Sequence, residues 1–241
     1  FIQEVVSCKR AVEKYIPQTD VVIELGGEDA KIIYFDKSIE QRMNGTCAGG
    51  TGAFIDQMAS LLHTDTAGLN ELAKSHKTIY PIASRCGVFA KTDVQPLINE
   101  GAAKEDIAAS IFQAVVNQTI SGLACGKPIR GKVAFLGGPL YFLDQLRARF
   151  IDSLNLKDED VIFPQNSQLF VAMGACLLAR EDKVNKTTID ELVYILDSLK
   201  DGISDETDTL KPLFETEEDR IEFRNRHYRT KVKKRDLNTY Q

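Results

Sequence analysis

An α/β fold on a mixed sheet is what this sequence predicts, and three observations predict it. DVVIELGGEDAKIIYFD (20–36) is two short apolar runs joined at Gly-Gly, and KSIEQRMN (37–44) follows as a third, which makes a meander. From 132 to 181 strand-like and helix-like patterns alternate. Between them lies the longest helical pattern of the chain, KEDIAASIFQAVVNQTISGLACG (104–126).

The elements are read in order. The chain opens without Met, inside a helical pattern, and is expected to be a piece of a longer protein. After the meander, GTCAGGTG (45–52) is a glycine-rich loop, and Phe54, Ile55, Met58, Leu61 and Leu62 then follow helical spacing. AGLNELAKSH (67–76) is a short helix, and SRCGVFAKTDVQPLINEG (84–101) is a helix behind a cysteine-bearing turn, with Pro96 placed to kink it. Gly126 and Pro128 stop the long helix. KVAFLGG (132–138) is a buried-type strand, YFLDQLRARFIDSL (141–154) an amphipathic helix, VIFP (161–164) a strand and SQLFVAMGACLLARE (167–181) a helix rich in small residues. Beyond 181, TIDELVYILDSL (188–199) is one more helix. An acidic and then a basic stretch follow, expected to be a linker or packing arm leading into a following domain.

Composition excludes several classes. The 241 residues carry a formal net charge of -5, which gives no electrostatic reason to bind nucleic acid or an anionic membrane. No apolar run is expected to reach the roughly 20 residues that span a bilayer, and FIQEVVSCKR lacks a secretory profile. The five cysteines, 8, 47, 86, 125 and 176, are odd in number and irregular in spacing, so a reducing cytoplasm is expected rather than a disulfide framework. Cys8, Cys125 and Cys176 fit the default of a small buried residue. His63, His76 and His227 lack ligand spacing.

Chemistry concentrates in the glycine turns. ELGGEDAK (24–31) and FLGGPLYF (135–142) both place Gly-Gly at a strand end, where backbone can approach a phosphate or nucleoside closely. Either turn alone is an ordinary tight turn. Two of them, the first with carboxylates at its tip, point to a nucleotide. Glu28 and Asp29 are the groups to hold Mg²⁺ or orient water. Lys31 is either a phosphate-neutralising cation or a solvated strand residue.

With those residues in place, ELGGEDAK is similar to the second phosphate motif of the actin, Hsp70 and sugar kinase superfamily, and FLGGPLYF looks like its adenosine motif. The resemblance implies a ribonuclease H-like (actin/Hsp70-type ATPase) subdomain over residues 1–182, the second of the two that enclose ATP, with a cysteine-bearing helical insertion; 183–241 would be a tail. ATP or ADP with Mg²⁺ would be held by Gly26, Gly27, Glu28, Asp29 and Lys31 on one side and by Gly137 and Gly138 at the nucleoside.

NGTCAGGTGAFIDQMA (44–59) and SRCGVFAKTDV (84–94) narrow this further. They resemble the two cysteine segments of the BadF/BadG/BcrA/BcrD-type activators, which include the component that activates 2-hydroxyacyl-CoA dehydratases. The resemblance implies a [4Fe–4S] cluster shared across a homodimer, with Cys47 and Cys86 as this chain's ligands. It also implies that Gly49, Gly50, Thr51 and Gly52 lie near both nucleotide and cluster. Half a four-thiolate site per chain suits two-fold symmetry, and a helix start favours thiolate.

The implied function is ATP-dependent electron transfer from ferredoxin or flavodoxin to a dehydratase or reductase acting on a CoA thioester. The family's opening Asp-Gly-Ser/Thr motif is absent, so the parent is expected to be the ATPase and this chain alone inactive. Glu24 stands where the family has Asp, and Pro139-Leu140 replace smaller residues. A sugar or N-acetylhexosamine kinase-like ATPase and a non-catalytic docking domain are the alternatives; the kinase offers no reason for Cys47 and Cys86, and the missing first motif is what speaks for the docking domain.

Overall fold

VVIEL forms the central strand because it is a nearly unbroken apolar, β-branched run, the kind that survives burial on both faces. In the computed structural model, which describes residues 2–36, 39–45, 49–84, 86–181, 187–200 and 211–231, this run is β1 (Val21–Leu25), buried at every position. It pairs antiparallel with β2 (Ala30–Phe35), which pairs antiparallel with β3 (Ile39–Met43). On its other side β1 pairs parallel with β4 (Val133–Leu136), and β4 pairs parallel with β5 (Val161–Ile162). The five-stranded order is β3-β2-β1-β4-β5. This is the expected mixed, ribonuclease H-like sheet, a meander followed by crossover helices.

The helices are α1 (Glu4–Tyr15), α2 (Gly52–Leu61), α3 (Thr66–Ala73), α4 (Gly87–Asn99), α5 (Lys104–Asn117), α6 (Gly138–Phe142), α7 (Asp144–Leu154) and α8 (Phe170–Glu181), with α9 (Ile189–Lys200) and α10 (Glu217–Arg229) beyond. The chain divides into two compact units, Phe1–Val184 and Asn185–Gln241. In the second unit, Thr216 and Asp219 form a reciprocal capping box at the start of α10.

Strand alternation decides what each face of the sheet buries. Val21, Ile23, Leu25, Ile32, Tyr34, Val133 and Phe135 enter the larger core, with apolar side chains of α2, α3, α4, α5 and α7. Val22, Ile33, Ala134 and Leu136 enter the smaller one, with Cys8, Ala11 and Val12 of α1 and Phe170 of α8. By the same parity Glu24 and Lys31, which are register partners, belong to the smaller-core face. Helices α1 and α8 meet closely there: a Cβ at Gly174 would lie 1.7 Å from the Ser7 carbonyl oxygen.

Four details differ from the sequence reading. The long helix is α-helical to Asn117 and π-helical over Gln118–Ala124, and Cys125 then takes a left-handed conformation at φ 45°. This 21-residue stretch, Lys104–Ala124, is long and apolar enough by composition to cross a membrane, contrary to expectation, and 67% of its most apolar window is buried inside the protein, as in a core helix. The pattern at 141–154 is two helices, because Pro139 in the first turn opens α6 earlier and Leu143 leaves helical geometry between them. Cys125 and Cys176 are exposed, so only Cys8 keeps the buried default.

The outer strand β3 is tied down by its side chains. Arg42 donates to the Leu123 and Ala124 carbonyl oxygens at the end of the π-helical turn and pairs with Glu40 at 2.8 Å. Glu40 also pairs with Lys127 at 2.6 Å.

Candidate nucleotide and thiolate site

The turn between β1 and β2 is closed by its own backbone, since the Gly26 N–H donates to the Asp29 carbonyl at 2.7 Å. Asn44, just past β3, holds it from outside. Its Nδ2 donates to the Glu28 carbonyl and its Oδ1 accepts from the Ala30 N–H, both at 2.8 Å. Asn44 was not singled out from the sequence, although it stands first in the cysteine segment.

Helix α2 starts directly on this turn. The Gly52 N–H donates to the Gly26 carbonyl at 3.0 Å and the Ala53 N–H to the Gly27 carbonyl at 2.7 Å. A helix start leaves its first N–H groups without intrahelical partners; here the turn's carbonyls satisfy two of them, and those two are therefore spent on the turn rather than on an anion. Thr51, the residue before α2, is fully buried, and Gly50 lies at φ +81° against the Gln118 side chain.

The second glycine turn reaches the same place. Gly137, at φ +90°, sits so close to the end of β1 that a Cβ would lie 2.1 Å from the Leu25 carbonyl oxygen. No other residue type fits both restraints. Its N–H donates to the Ser167 carbonyl at 3.2 Å, and Gly138 begins α6.

Between the two turns lies a cavity of about 420 Å³. Four residues expected from the sequence line it: Gly27, Glu28, Gly52 and Gly138. Gly26, Asp29 and Gly137 stand one residue behind in the same turns. Sequence reasoning missed Ile55, Asp56, Thr66, Phe142 and Leu143, which also line it. Asp56 follows Gly52 by one helical turn, and that spacing was the available signal.

Lys31 is not among these residues. It is 2% exposed on the smaller-core face, with its Nζ 2.6 Å from Glu4 of α1 and 3.4 Å from Glu24. Desolvation lowers its pKa, but Glu24 and Glu4 outweigh that and hold it above the ordinary lysine value. Burial raises the Glu24 carboxyl above the ordinary range, with Lys31 pulling the other way. The Cys8 thiol beside them is pushed up by burial and then by Glu24. The contacts of Lys31 are thus with α1 and β1, and it is not a solvated strand residue.

Cys86 caps the start of α4 and is half-buried. The N–H groups of Phe89 and Val88 lower its pKa below the ordinary thiol value. Both side chains beside it are exposed, Val88 at 73% and Phe89 at 58%. Asp93 of α4 accepts from the Ala83 N–H at 2.7 Å, which fastens the approach to Cys86. The Gln57 side chain of α2 lies against Gly87. Cys47 falls outside the described residues, and among the described residues no group of three His, Cys, Asp or Glu side chains is placed to hold a metal ion.

The family model for the BadF/BadG/BcrA/BcrD ATPases matches residues 1–179. Among characterised relatives, the 2-hydroxyisocaproyl-CoA dehydratase activator of Clostridioides difficile is 32% identical over 75% of this chain and 67% of its own length. The (R)-2-hydroxyglutaryl-CoA dehydratase activating ATPase of Acidaminococcus fermentans is 38% identical over 55% and 52%. The chain thus spans from about half to two thirds of these relatives. The crystal structure of component A of the A. fermentans (R)-2-hydroxyglutaryl-CoA dehydratase superposes with a TM-score of 0.68 at 30% identity, covering 75% of this chain and 68% of that one. The activator of the 2-hydroxyisocaproyl-CoA dehydratase from Clostridium difficile, with bound ADPNP, gives 0.66 at 29%, covering 78% and 71%.

Proposed function

This chain belongs to the BadF/BadG/BcrA/BcrD ATPase family, and we propose that it is the nucleotide-clamping and cluster-bearing part of an ATP-dependent electron-transfer activator. The partner acted on would be a dehydratase or reductase of a CoA thioester; three characterised relatives are named as activators of CoA dehydratases. Reduced ferredoxin or flavodoxin would be the electron donor.

The observation that carries this reading is the pair of hydrogen bonds from Gly52 and Ala53 to the Gly26 and Gly27 carbonyls. Through them the helix that follows the Cys47 loop is anchored on the turn assigned to phosphate. A displacement of that turn would move the start of α2, and α2 packs through Gln57 and Phe54 against Gly87, the residue after Cys86. Nucleotide state and thiolate position are therefore joined through rigid elements.

In this assignment the Gly26–Asp29 turn faces the phosphates, with Glu28 and Asp29 offering oxygen ligands to Mg²⁺. Gly137 and Gly138 let the backbone approach the nucleoside, and Gly50, Thr51 and Gly52 connect the two sites. Cys86 fits thiolate ligation, because two backbone N–H groups already favour its charged form. Two copies, each offering Cys47 and Cys86, would complete a four-thiolate set about a two-fold axis. When bound, a [4Fe–4S] cluster supplies one-electron storage. Val88 and Phe89, exposed beside Cys86, would be covered by the second copy.

The test is anaerobic reconstitution with iron and sulfide of wild type, Cys47→Ser and Cys86→Ser. Wild type is expected to bind about four irons per dimer and each variant to lose them. An iron-free wild type, or clusters retained by both variants, would remove the electron-transfer reading.

A further inference from the structure

The π-helical turn Gln118–Ala124 touches the chain on both sides of the segment that carries Cys47. Before that segment, Arg42 of β3 donates to the Leu123 and Ala124 carbonyl oxygens at the end of the turn. After it, Gly50 rests on Gln118, the first residue of the turn, where a Cβ on Gly50 would lie 3.0 Å from the Gln118 Cγ. The Gln118 side chain is half-buried, and among the described residues its amide makes no hydrogen bond. Packing fixes it instead, between Gly50 and Gly122, whose Cβ would stand 3.0 Å from the Gln118 Nε2. The helix behind it is firmly seated. Phe112, Val115 and Val116 are fully buried in the larger core, and the Thr119 hydroxyl donates to the Val115 carbonyl at 3.0 Å.

Gly52 and Ala53, two and three residues after Gly50, are the residues bonded to the phosphate turn. A shift of that turn has two outlets. Either α2 moves as a body, or the chain ahead of it buckles at Gly50. Glycine has the freest backbone of any residue, so buckling is the easy route unless the space is filled. The Gln118 side chain fills it, and close-packed atoms transmit a displacement rather than absorb it.

We propose that Gln118 is a positioning residue that blocks the retreat of Gly50, so that a shift of the phosphate turn is delivered to α2 and on to the start of α4. This rests on the coupling of nucleotide and thiolate stated above and names the support that coupling needs. Gln118 touches neither the phosphate turn nor Cys86; it acts through Gly50, which two-state coupling through packed elements requires.

The test is hydrogen exchange, read by mass spectrometry on the full-length protein with and without ADPNP and Mg²⁺. The Phe89 and Ala90 amides donate to the Cys86 carbonyl, so their exchange reports on the first turn of α4. In wild type, nucleotide is expected to change that exchange by about threefold or more. Gln118→Ala should bind ADPNP within about threefold of wild type and lose that change. Gln118→Met, which keeps a Cγ against Gly50, should retain it; both replacements are strong helix formers. A residue that merely stabilised the fold would shift exchange equally with and without nucleotide. An unaltered nucleotide response in Gln118→Ala, its loss in Gln118→Met as well, or loss of ADPNP binding in Gln118→Ala would overturn the role of Gln118. Wild type that binds ADPNP without a change at Phe89 and Ala90 would overturn the coupling itself. Wild type that does not bind ADPNP would overturn the nucleotide reading and this inference with it.

Discussion

Replacing Lys31 by Met removes the cation from beneath α1 without emptying the space it fills. Glu24, 7% exposed, keeps its carboxylate and loses the ammonium 3.4 Å away. Removing one partner of a buried pair costs about 3–5 kcal/mol, because the remaining charge is left uncompensated. The second contact, to Glu4, adds little, since that side chain is 42% exposed and such pairs contribute about 0–1 kcal/mol. The expected loss is therefore on the order of 4 kcal/mol, or a fall of about 2 M in urea midpoint at a slope of about 2 kcal/mol per molar. The chain has no tryptophan, so urea unfolding is followed by far-ultraviolet circular dichroism. Lys31→Met combined with Glu24→Gln should recover most of the loss.

The pH dependence separates charge from packing. Burial already holds Glu24 above its ordinary value against the pull of Lys31. Without Lys31 its folded value rises further above the unfolded one. Between those two values the folded chain carries a proton that the unfolded chain lacks, so stability falls as pH rises through the window. The deficit of Lys31→Met should be largest above the folded value and nearly vanish below about pH 4. A deficit under about 1 kcal/mol, the same at pH 5 and pH 8, would refute the description of Glu24 and Lys31 as a buried charge pair.

Two further outcomes follow from geometry already given. With Cys47, Cys125 and Cys176 replaced by Ser, the rate of Cys86 alkylation against pH should show a midpoint below the ordinary thiol value of about 8.5, because the Phe89 and Val88 N–H groups stabilise its thiolate; a midpoint at or above that value contradicts the helix-start account. Gly137→Ala forces a Cβ against the Leu25 carbonyl at a positive φ and should cost more than about 2 kcal/mol, together with nucleotide affinity. Gly138→Ala, whose Cβ would meet nothing within 4 Å, is the control expected to fold normally. Equal stability losses in a denaturant series would sink the distinction.

The sheet and the cavity were legible in the sequence because both are written locally. Apolar runs of period two, interrupted by Gly-Gly, mark strand ends that share one edge of the sheet, and the strand-helix alternation fixes which helices cover them. Lys31 was readable in principle too. Counting by twos from Ile33 puts it on the α1 face, but that step needs the knowledge that α1 packs there and brings Glu4 to it. Asn44 and Asp56 were missed because each acts through a contact that no local pattern marks, one by clamping a turn fourteen residues upstream and the other by lining a space bounded by distant segments. The helix Glu217–Arg229 lacks apolar periodicity and was read as a charged arm; its signal was Thr216 with Asp219, and acidic residues at the start with basic ones at the end. The π-helical turn at Gln118–Ala124 differs from an α-helix by one residue of register, which hydrophobic spacing does not resolve.

The lashing of β3 has a consequence for aggregation. An outermost strand offers a row of unpaired backbone groups that invites strand-to-strand aggregation. Here that strand reads Ile-Glu-Gln-Arg-Met, and its two charged side chains are anchored inward, to Lys127 and to the carbonyls closing the π-helical turn. A neighbouring chain that tried to zip onto this border would have to pull those anchors loose and bury their charges. Extension of the sheet along β3 is disfavoured in this way.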